Sequence, residues 1–153
     1  MQETIAVKPR LRGVLHQWAF FVSIVAGSAL VLVAPAGRAT LATAILIVVW
    51  AAALGGIVLK LAWIDAPKWL VALIYVAIGW VALAAFPQLL DKLGVTATAM
   101  VAAGGLLYTF GALVYARKRP DPAPTVFGYH EIFHALVIAA AAVQYCVIAF
   151  FVV

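Results

Sequence analysis

The sequence predicts an all-α, polytopic transmembrane bundle with five membrane-spanning helices. Of its 153 residues 68% are hydrophobic and only 10% are charged, and the mean hydropathy is +1.18. A soluble domain of this length has too little interior to bury so much apolar surface, so we predict an integral membrane protein. The ten cations form short clusters beside apolar runs, where they set topology, and they indicate no nucleic-acid site. The single cysteine, Cys146, excludes an internal disulfide.

Five apolar runs are long enough to cross a bilayer as helices. Residues 1–13 are polar and are predicted to form a cytoplasmic N-terminal segment, followed by one transmembrane domain over residues 14–153. The first run exceeds the apolar core of a signal peptide, about 7–15 residues, so we interpret it as a membrane span. The predicted spans are residues 14–34, 40–63, 69–86, 96–116 and about 127–152.

Each break between the spans contains residues that end helices. Pro35 lies between the first two spans, and Asp65 and Pro67 lie between the second and third. Residues 87–95 are predicted to form the next loop. The strongest break is the linker 117–125, which holds three consecutive cations and three prolines and cannot continue a helix.

Small residues in the fourth span predict close helix packing. Gly104, Gly105 and Gly111 have spacings that let two helix backbones approach each other. We expect these glycines to contact another helix rather than to bind a ligand.

The distribution of the cations predicts the orientation in the membrane. Eight cations fall on one side: Lys8, Arg10, Arg12, Lys60, Lys68, Arg117, Lys118 and Arg119. Only Arg38 and Lys92 fall on the other side. Because cytoplasmic loops carry the excess of lysine and arginine, we predict a multi-pass plasma-membrane protein with a cytoplasmic N-terminus and an external C-terminus. All three histidines then lie at a similar depth, just inside the cytoplasmic face.

The last span holds the best candidate site, which is a pair of histidines. His130 and His134 are four residues apart, so they lie on one face of a helix, about 6 Å from each other. Burying two imidazoles in a membrane is costly unless they bind a metal, pair with an acid or line a polar cavity. Imidazole suits zinc, copper, iron or nickel, and an open zinc site usually takes three protein ligands, of which the pair supplies two. Gln144 and Tyr145 continue the same face and indicate that it points at protein or water.

Other interpretations of these residues stay open. His16 alone is typical of an interfacial side chain with a solvated ring. Residues 130–134 also fit the His-Glu-x-x-His pattern of zinc peptidases, but this pattern fixes only three positions, and no further acidic ligand follows it. Glu131 is either a ligand or base or, as we favour, the partner of a basic side chain in the headgroup layer.

Four stretches together resemble the hemolysin III family of bacterial membrane proteins. They run from Lys8 to Val14 and on to His16, Gln17 and Trp18, from Asp65 to Leu70, from Gly104 to Thr109, and from Gly128 to His134. The resemblance covers nearly the whole chain. This family is related to the progestin and adiponectin receptors and, more distantly, to alkaline ceramidases.

The resemblance implies a seven-helix protein with zinc near the cytoplasmic face, held by three histidines. Two of these histidines match His130 and His134. The third, and an aspartate that helps to hold a zinc-bound water, belong to two family helices that have no counterpart here, because only a short turn separates the first two predicted spans. The chain therefore resembles a member with an internal deletion. Loss of two spans leaves both termini on their original sides.

Two functions follow from the resemblance. One is a membrane protein with a partial zinc site at His130 and His134, whose ancestral chemistry is a metal-assisted hydrolysis of a lipid amide. With the third ligand and the acid missing, the sequence leaves catalysis open. The alternative is a non-enzymatic protein, either pore-forming and haemolytic or a degenerate remnant. Membrane lipids are the expected partners, and a pore would require a homo-oligomer, because five spans leave little room for an internal channel.

Overall fold

The computed structural model describes residues 9–11, 13–63 and 86–153, together with five single positions between the last two ranges. The predicted N-terminal segment before residue 9, Arg12, Lys68, most of the third predicted span and the side chain of Lys60 lie outside the described residues. The described helices are α1 (Val14–Val33), α2 (Ala39–Ala62), α3 (Phe86–Arg117), α4 (Tyr129–Val147) and a terminal π-helix (Ile148–Val152).

The described helices confirm an all-helical membrane bundle. Four helical segments are long and apolar enough to cross a membrane, by length and composition: Val14–Val33, Ala39–Gly56, Phe86–Arg117 and Tyr129–Val152, the last of which joins α4 and the π-helix. These correspond to four of the five predicted spans. Within the remaining one, residues 69–86, the described positions Trp69, Leu73, Val76 and Trp80 are helical.

The predicted loop at residues 87–95 is largely helical in the structure. α3 already begins at Phe86, and Pro87 is tolerated in its first turn because an N–H there would have no intrahelical partner. The interruption lies instead at Gly94, with φ 79° and ψ 176°, a conformation that glycine adopts at little cost. Gly94 therefore divides α3 into a short first helix and the membrane-spanning part.

α3 and α4 pack closely through the predicted glycines. A Cβ atom at Gly104 would lie 2.6 Å from Nε2 of Gln144, and the Gln144 amide donates to the carbonyl of Val101 at 3.3 Å. A Cβ at Gly111 would meet Leu136 at an ordinary contact distance of 3.5 Å. The prediction of close packing is confirmed at these two glycines, whereas a Cβ at Gly105 would meet no described residue within 4 Å.

Hydrogen bonds to backbone carbonyls join distant segments at both ends of the bundle. At one end the N–H of Arg10 donates to the carbonyl of Thr125 at 3.0 Å, and the next residue pairs in the same way with Val126. At the other end Nη1 of Arg38 donates to the carbonyl of Val152 at 3.2 Å. The N-terminal segment thus meets the linker before α4, and the α1–α2 turn meets the end of the π-helix.

Candidate functional site

The start of α4 is fixed by two carboxylates. The N–H of Gly128 donates to Oε2 of Glu131 at 2.9 Å, and the N–H of Tyr129 donates to Oδ1 of Asp121 at 2.9 Å. The first N–H groups of a helix have no intrahelical acceptor and carry a partial positive charge, so both carboxylates stabilise this terminus. A Cβ at Gly128 would collide with the Asp121 carboxylate, so glycine lets the turn close.

His130 and His134 face each other across one turn of α4, on the shared face that their spacing predicts. Their Nε2 atoms are 2.9 Å apart and their ring centroids are 4.5 Å apart. At that distance one Nε2–H can donate to the other nitrogen, with the roles set by the tautomers. Nδ1 of His134 is buried and has no hydrogen-bond partner among the described residues, which leaves this ring with unused polar capacity in either tautomer.

α1 brings a third imidazole to this pair. The ring centroid of His16 lies 4.6 Å from that of His134, with the ring planes at 53°. We refer to His16, His130 and His134 as the imidazole cluster. Sequence reasoning places His16 at the same depth as the pair, and the structure shows in addition that it is in contact with His134.

Aromatic side chains surround the imidazole cluster on the α3 and α4 side. The Tyr115 ring lies 6.0 Å from the ring of His130, and the Phe133 ring lies 4.9 Å from that of His134. Neither ring is predicted from the sequence to belong to the site. The position of Tyr115 could have been predicted. It lies at the end of the span before the linker, and the linker leads directly to the start of α4, so both lie on the same side of the membrane.

Glu131 is buried in the turn that begins α4, with 1% of its surface exposed. Its Oε2 accepts the backbone N–H of Gly128, whereas Oε1 is buried without a hydrogen-bond partner among the described residues. Among the described residues, the partner of Glu131 is this backbone N–H and not the expected basic side chain. The backbone donor takes its place because a carboxylate at the third helical position reaches back to the unpaired N–H groups of the helix start.

The donor atoms of the cluster fit a transition metal in part. Two imidazole nitrogens that bind one tetrahedral zinc ion at about 2.0–2.1 Å lie roughly 3.3 Å apart, somewhat farther than the 2.9 Å between the two Nε2 atoms. Among the described residues, no three histidine, cysteine, aspartate or glutamate side chains are placed so that they could hold one metal ion together. The pair therefore offers two nitrogen ligands, and His16 does not complete a set of three in this arrangement.

Comparison with known proteins connects this bundle to one family. The model of the haemolysin-III-related family matches residues 19–145. The chain is 30% identical over 112 residues to the hemolysin-3 homolog of Bacillus subtilis (strain 168), covering 72% of this chain and 50% of that protein. It is 28% identical over 116 residues to hemolysin-3 of Bacillus cereus, covering 75% of this chain and 50% of that protein.

The chain spans about half the length of the curated relatives that it matches. No solved structure gives a significant match. The matched region contains α2, α3 and both histidines of α4. Since the family model covers most of the chain and the structure is a bundle of membrane-type helices, the protein belongs to the haemolysin-III-related family.

Proposed function

We propose that this hemolysin III-like integral membrane protein binds zinc through His130 and His134, with metal-assisted hydrolysis of a lipid amide as its ancestral chemistry. The observation that carries the proposal is the 2.9 Å separation of the two Nε2 atoms in the first turns of a membrane-type helix. A buried nitrogen without a partner, Nδ1 of His134, supports a polar role for this spot. When bound, zinc supplies a Lewis acid and makes water a stronger nucleophile at neutral pH.

Several residues of the chain position the two imidazoles. The carboxylate of Glu131 accepts the N–H of Gly128 and so stabilises the first turn of α4, which carries His130. Tyr115 and Phe133 pack beside the rings and restrict their rotation and the access of water on that side. A zinc ligand held by such neighbours keeps its orientation without the metal.

The pair supports zinc binding more directly than it supports catalysis. Hydrolysis would need a third ligand and an acid or base beside the pair, and Oε2 of Glu131 is engaged by the backbone. His130 and His134 thus account for binding, and turnover of a lipid amide depends on further groups.

The same proposal places the protein in the plasma membrane with its N-terminus in the cytoplasm. Eight cations against two support this orientation. The hydrogen bond between Arg10 and Thr125 supports a common side for the N-terminal segment and the basic linker. The imidazole cluster then lies near the cytoplasmic surface, within reach of lipid headgroups.

Metal analysis of the purified protein tests the zinc site. After loading with zinc and removal of excess ion in detergent, the unmodified protein should carry about one zinc per chain, and His130→Ala and His134→Ala should each lose it. Tyr145→Phe is the matched control, because it changes the same helix but keeps all three imidazoles. Equal zinc content in all four proteins would refute the site.

A pore formed by several copies is the second candidate. The two relatives carry the name hemolysin-3, and α1 and α2 expose many large apolar side chains, such as Phe21, Val25 and Val48, to lipid or to other copies. Dye release from liposomes that rises steeply with protein density, without any lipid product, would support this candidate. Absence of release at high density would exclude it.

A further inference from the structure

We propose that a basic surface beside the starts of α1 and α4 binds the phosphate headgroup of anionic phospholipids. The basic surface is formed by four exposed cations and two exposed apolar side chains: Arg10, Arg117, Lys118, Arg119, Leu11 and Val126. This inference goes beyond the proposed zinc binding and does not depend on it.

Backbone hydrogen bonds hold the N-terminal part of the basic surface against the segment that precedes α4. The N–H of Arg10 donates to the carbonyl of Thr125 at 3.0 Å, and the N–H of Leu11 donates to that of Val126 at 3.3 Å. Leu11 and Val126 are therefore neighbours, and they are 37% and 42% exposed. Exposed apolar side chains beside cations are typical of a surface at a membrane interface, where the apolar groups reach the acyl boundary and the cations stay at the headgroups.

Contacts on both sides of the three linker cations bring them to the same place. Before them, the Tyr115 ring lies 6.0 Å from the ring of His130. After them, Oδ1 of Asp121 accepts the N–H of Tyr129 at 2.9 Å. Each end of the triplet is two residues from one of these contacts, a distance of at most about 7 Å of extended chain. The triplet therefore begins and ends near the first two residues of α4, just as Arg10 is held near Thr125.

The end of α3 explains only part of this arrangement. Lys118, with φ 53°, stops the helix after Arg117, and a cation in the last turn of a helix is stabilised by the helix dipole. The dipole gives no reason for Arg10 or Arg119, which lie outside α3. A shared anionic ligand accounts for all four cations.

The lengths of the helices place the basic surface in the headgroup layer. α1 begins at Val14, and its 20 residues span about 30 Å, the thickness of the hydrocarbon core. Arg10 lies four residues before this start, and Arg117 is the last residue of α3. Both belong to the polar layer of about 5–7 Å on each side of the hydrocarbon, which contains the lipid phosphates.

The charge of the basic surface selects the class of lipid. In the described parts of the N-terminal segment and of residues 117–128, four cations face one carboxylate, Asp121, whose Oδ1 is engaged by the N–H of Tyr129. Guanidinium groups bind phosphate oxygens with two parallel hydrogen bonds, so arginine suits a phosphodiester. An excess of positive charge favours a headgroup with a net negative charge over a zwitterionic one, whose own ammonium group it repels.

Lipid titration of the full chain in a neutral detergent, with bound lipid counted by native mass spectrometry, tests the basic surface. Phosphatidylglycerol should bind at least about tenfold more tightly than phosphatidylcholine. Arg10→Gln and Lys118→Asn should each weaken phosphatidylglycerol binding about fivefold, and asparagine is chosen at position 118 because it tolerates a positive φ. Lys92→Gln is the matched control, since it removes one exposed cation near the other end of α3 and should change nothing.

Two outcomes of the titration would overturn the inference. One is that Arg10→Gln and Lys118→Asn bind phosphatidylglycerol as Lys92→Gln does. The other is that glycerol 3-phosphate, a headgroup without acyl chains, displaces the lipid at an equal concentration, which would show that the surface binds free phosphate compounds rather than a membrane lipid.

Thermal unfolding in nanodiscs gives a second readout that separates lipid binding from folding. The unmodified protein and Lys92→Gln should unfold at a higher temperature in phosphatidylglycerol than in phosphatidylcholine, because a ligand of the folded state stabilises it. This difference should shrink in Arg10→Gln and Lys118→Asn. A substitution that only weakens the fold lowers both temperatures and keeps the difference, and that result for both variants would contradict the inference. Neither measurement involves zinc, so its outcome is independent of the proposed function.

Discussion

At the scale of the residue, Glu131 shows how a backbone requirement can decide the place of a charged side chain. Its position in the sequence, beside two histidines and near the membrane surface, favoured a basic partner or a metal. The structure gives it the N–H of Gly128 instead, in a turn where its exposed fraction falls to 1%. The unpaired N–H group of the residue that precedes a helix lies within reach of a carboxylate three residues later in the chain. This local contact forms even where histidines or basic side chains are nearby.

Substitution of Glu131 should therefore weaken the start of α4. Glu131→Ala removes the acceptor for the Gly128 N–H and should lower the free energy of unfolding by about 1–2 kcal/mol. Glu131→Gln keeps an acceptor oxygen and should lose less. Thermal unfolding in detergent, followed by circular dichroism, measures both. Equal stability of the alanine and glutamine variants would show that the hydrogen bond contributes nothing measurable.

Part of the site could be predicted from single residues. A spacing of four places His130 and His134 on one face of any helix, and the structure shows their rings in contact. The contact of His16 with His134 could not be predicted, since it depends on how α1 packs against α4 and no local pattern encodes that. The predicted depth in the membrane places all three histidines at the same level. It does not show that α1 packs beside α4.

At the scale of the element, the apolar runs predict which segments are helical, but they do not predict where α3 is interrupted. The sequence predicts a loop from Pro87, yet this proline lies in the first turn of α3, where proline is tolerated. Gly94 carries the positive φ that interrupts the helix, and a single glycine in an apolar context gives only a weak signal for such a break. Helix existence follows from periodicity and length, whereas the position of a break depends on the backbone angles of one residue.

The contact between α3 and α4 predicts a sharp difference between two adjacent glycines. Gly104→Ala would place its Cβ 2.6 Å from Nε2 of Gln144 and displace the amide from the carbonyl of Val101. We therefore expect the free energy of unfolding to fall by about 1–3 kcal/mol. Gly105→Ala meets nothing within 4 Å among the residues that the structure describes and should be neutral or slightly stabilising, because alanine favours the helix.

Unfolding of the two glycine variants in a denaturing detergent, compared at matched concentrations, measures the difference. Equal loss in both variants would mean that the helix interior, and not the contact with Gln144, sets the cost of the substitution.

At the scale of the whole molecule, the described chain forms its long-range polar contacts at the two ends of the bundle and at a few points between helices. Between the ends, Tyr145 donates to the carbonyl of Ala26, and Gln144 donates to that of Val101. Isolated hydrogen bonds of this kind hold membrane helices together where lipid is as apolar as the side chains. The composition predicts that the bundle lies in a membrane. The polar residues of the last helix, Gln144 and Tyr145, predict which of its faces points at the other helices.

The orientation is testable by labelling single cysteines in intact cells. On a Cys146→Ala background, Lys118→Cys should be protected from a membrane-impermeant thiol reagent until the cells are opened, and Gly37→Cys should react from outside. The reason is the excess of cations on the side of the linker that contains Lys118. Reaction of Lys118→Cys in intact cells, with protection of Gly37→Cys, would reverse the proposed topology.

The hydrogen bond from Arg38 to Val152 has a mechanical consequence when it is considered together with that from Arg10 to Thr125. α1 has 20 residues and is about 30 Å long, which matches the hydrocarbon thickness of a bilayer, and residues just beyond its two ends hold the two ends of the last helix. The last helix therefore cannot slide along its axis without breaking a bond at one end. In a bilayer of a different thickness, α1 and the last helix must change their tilt together, because the two hydrogen bonds keep them in register.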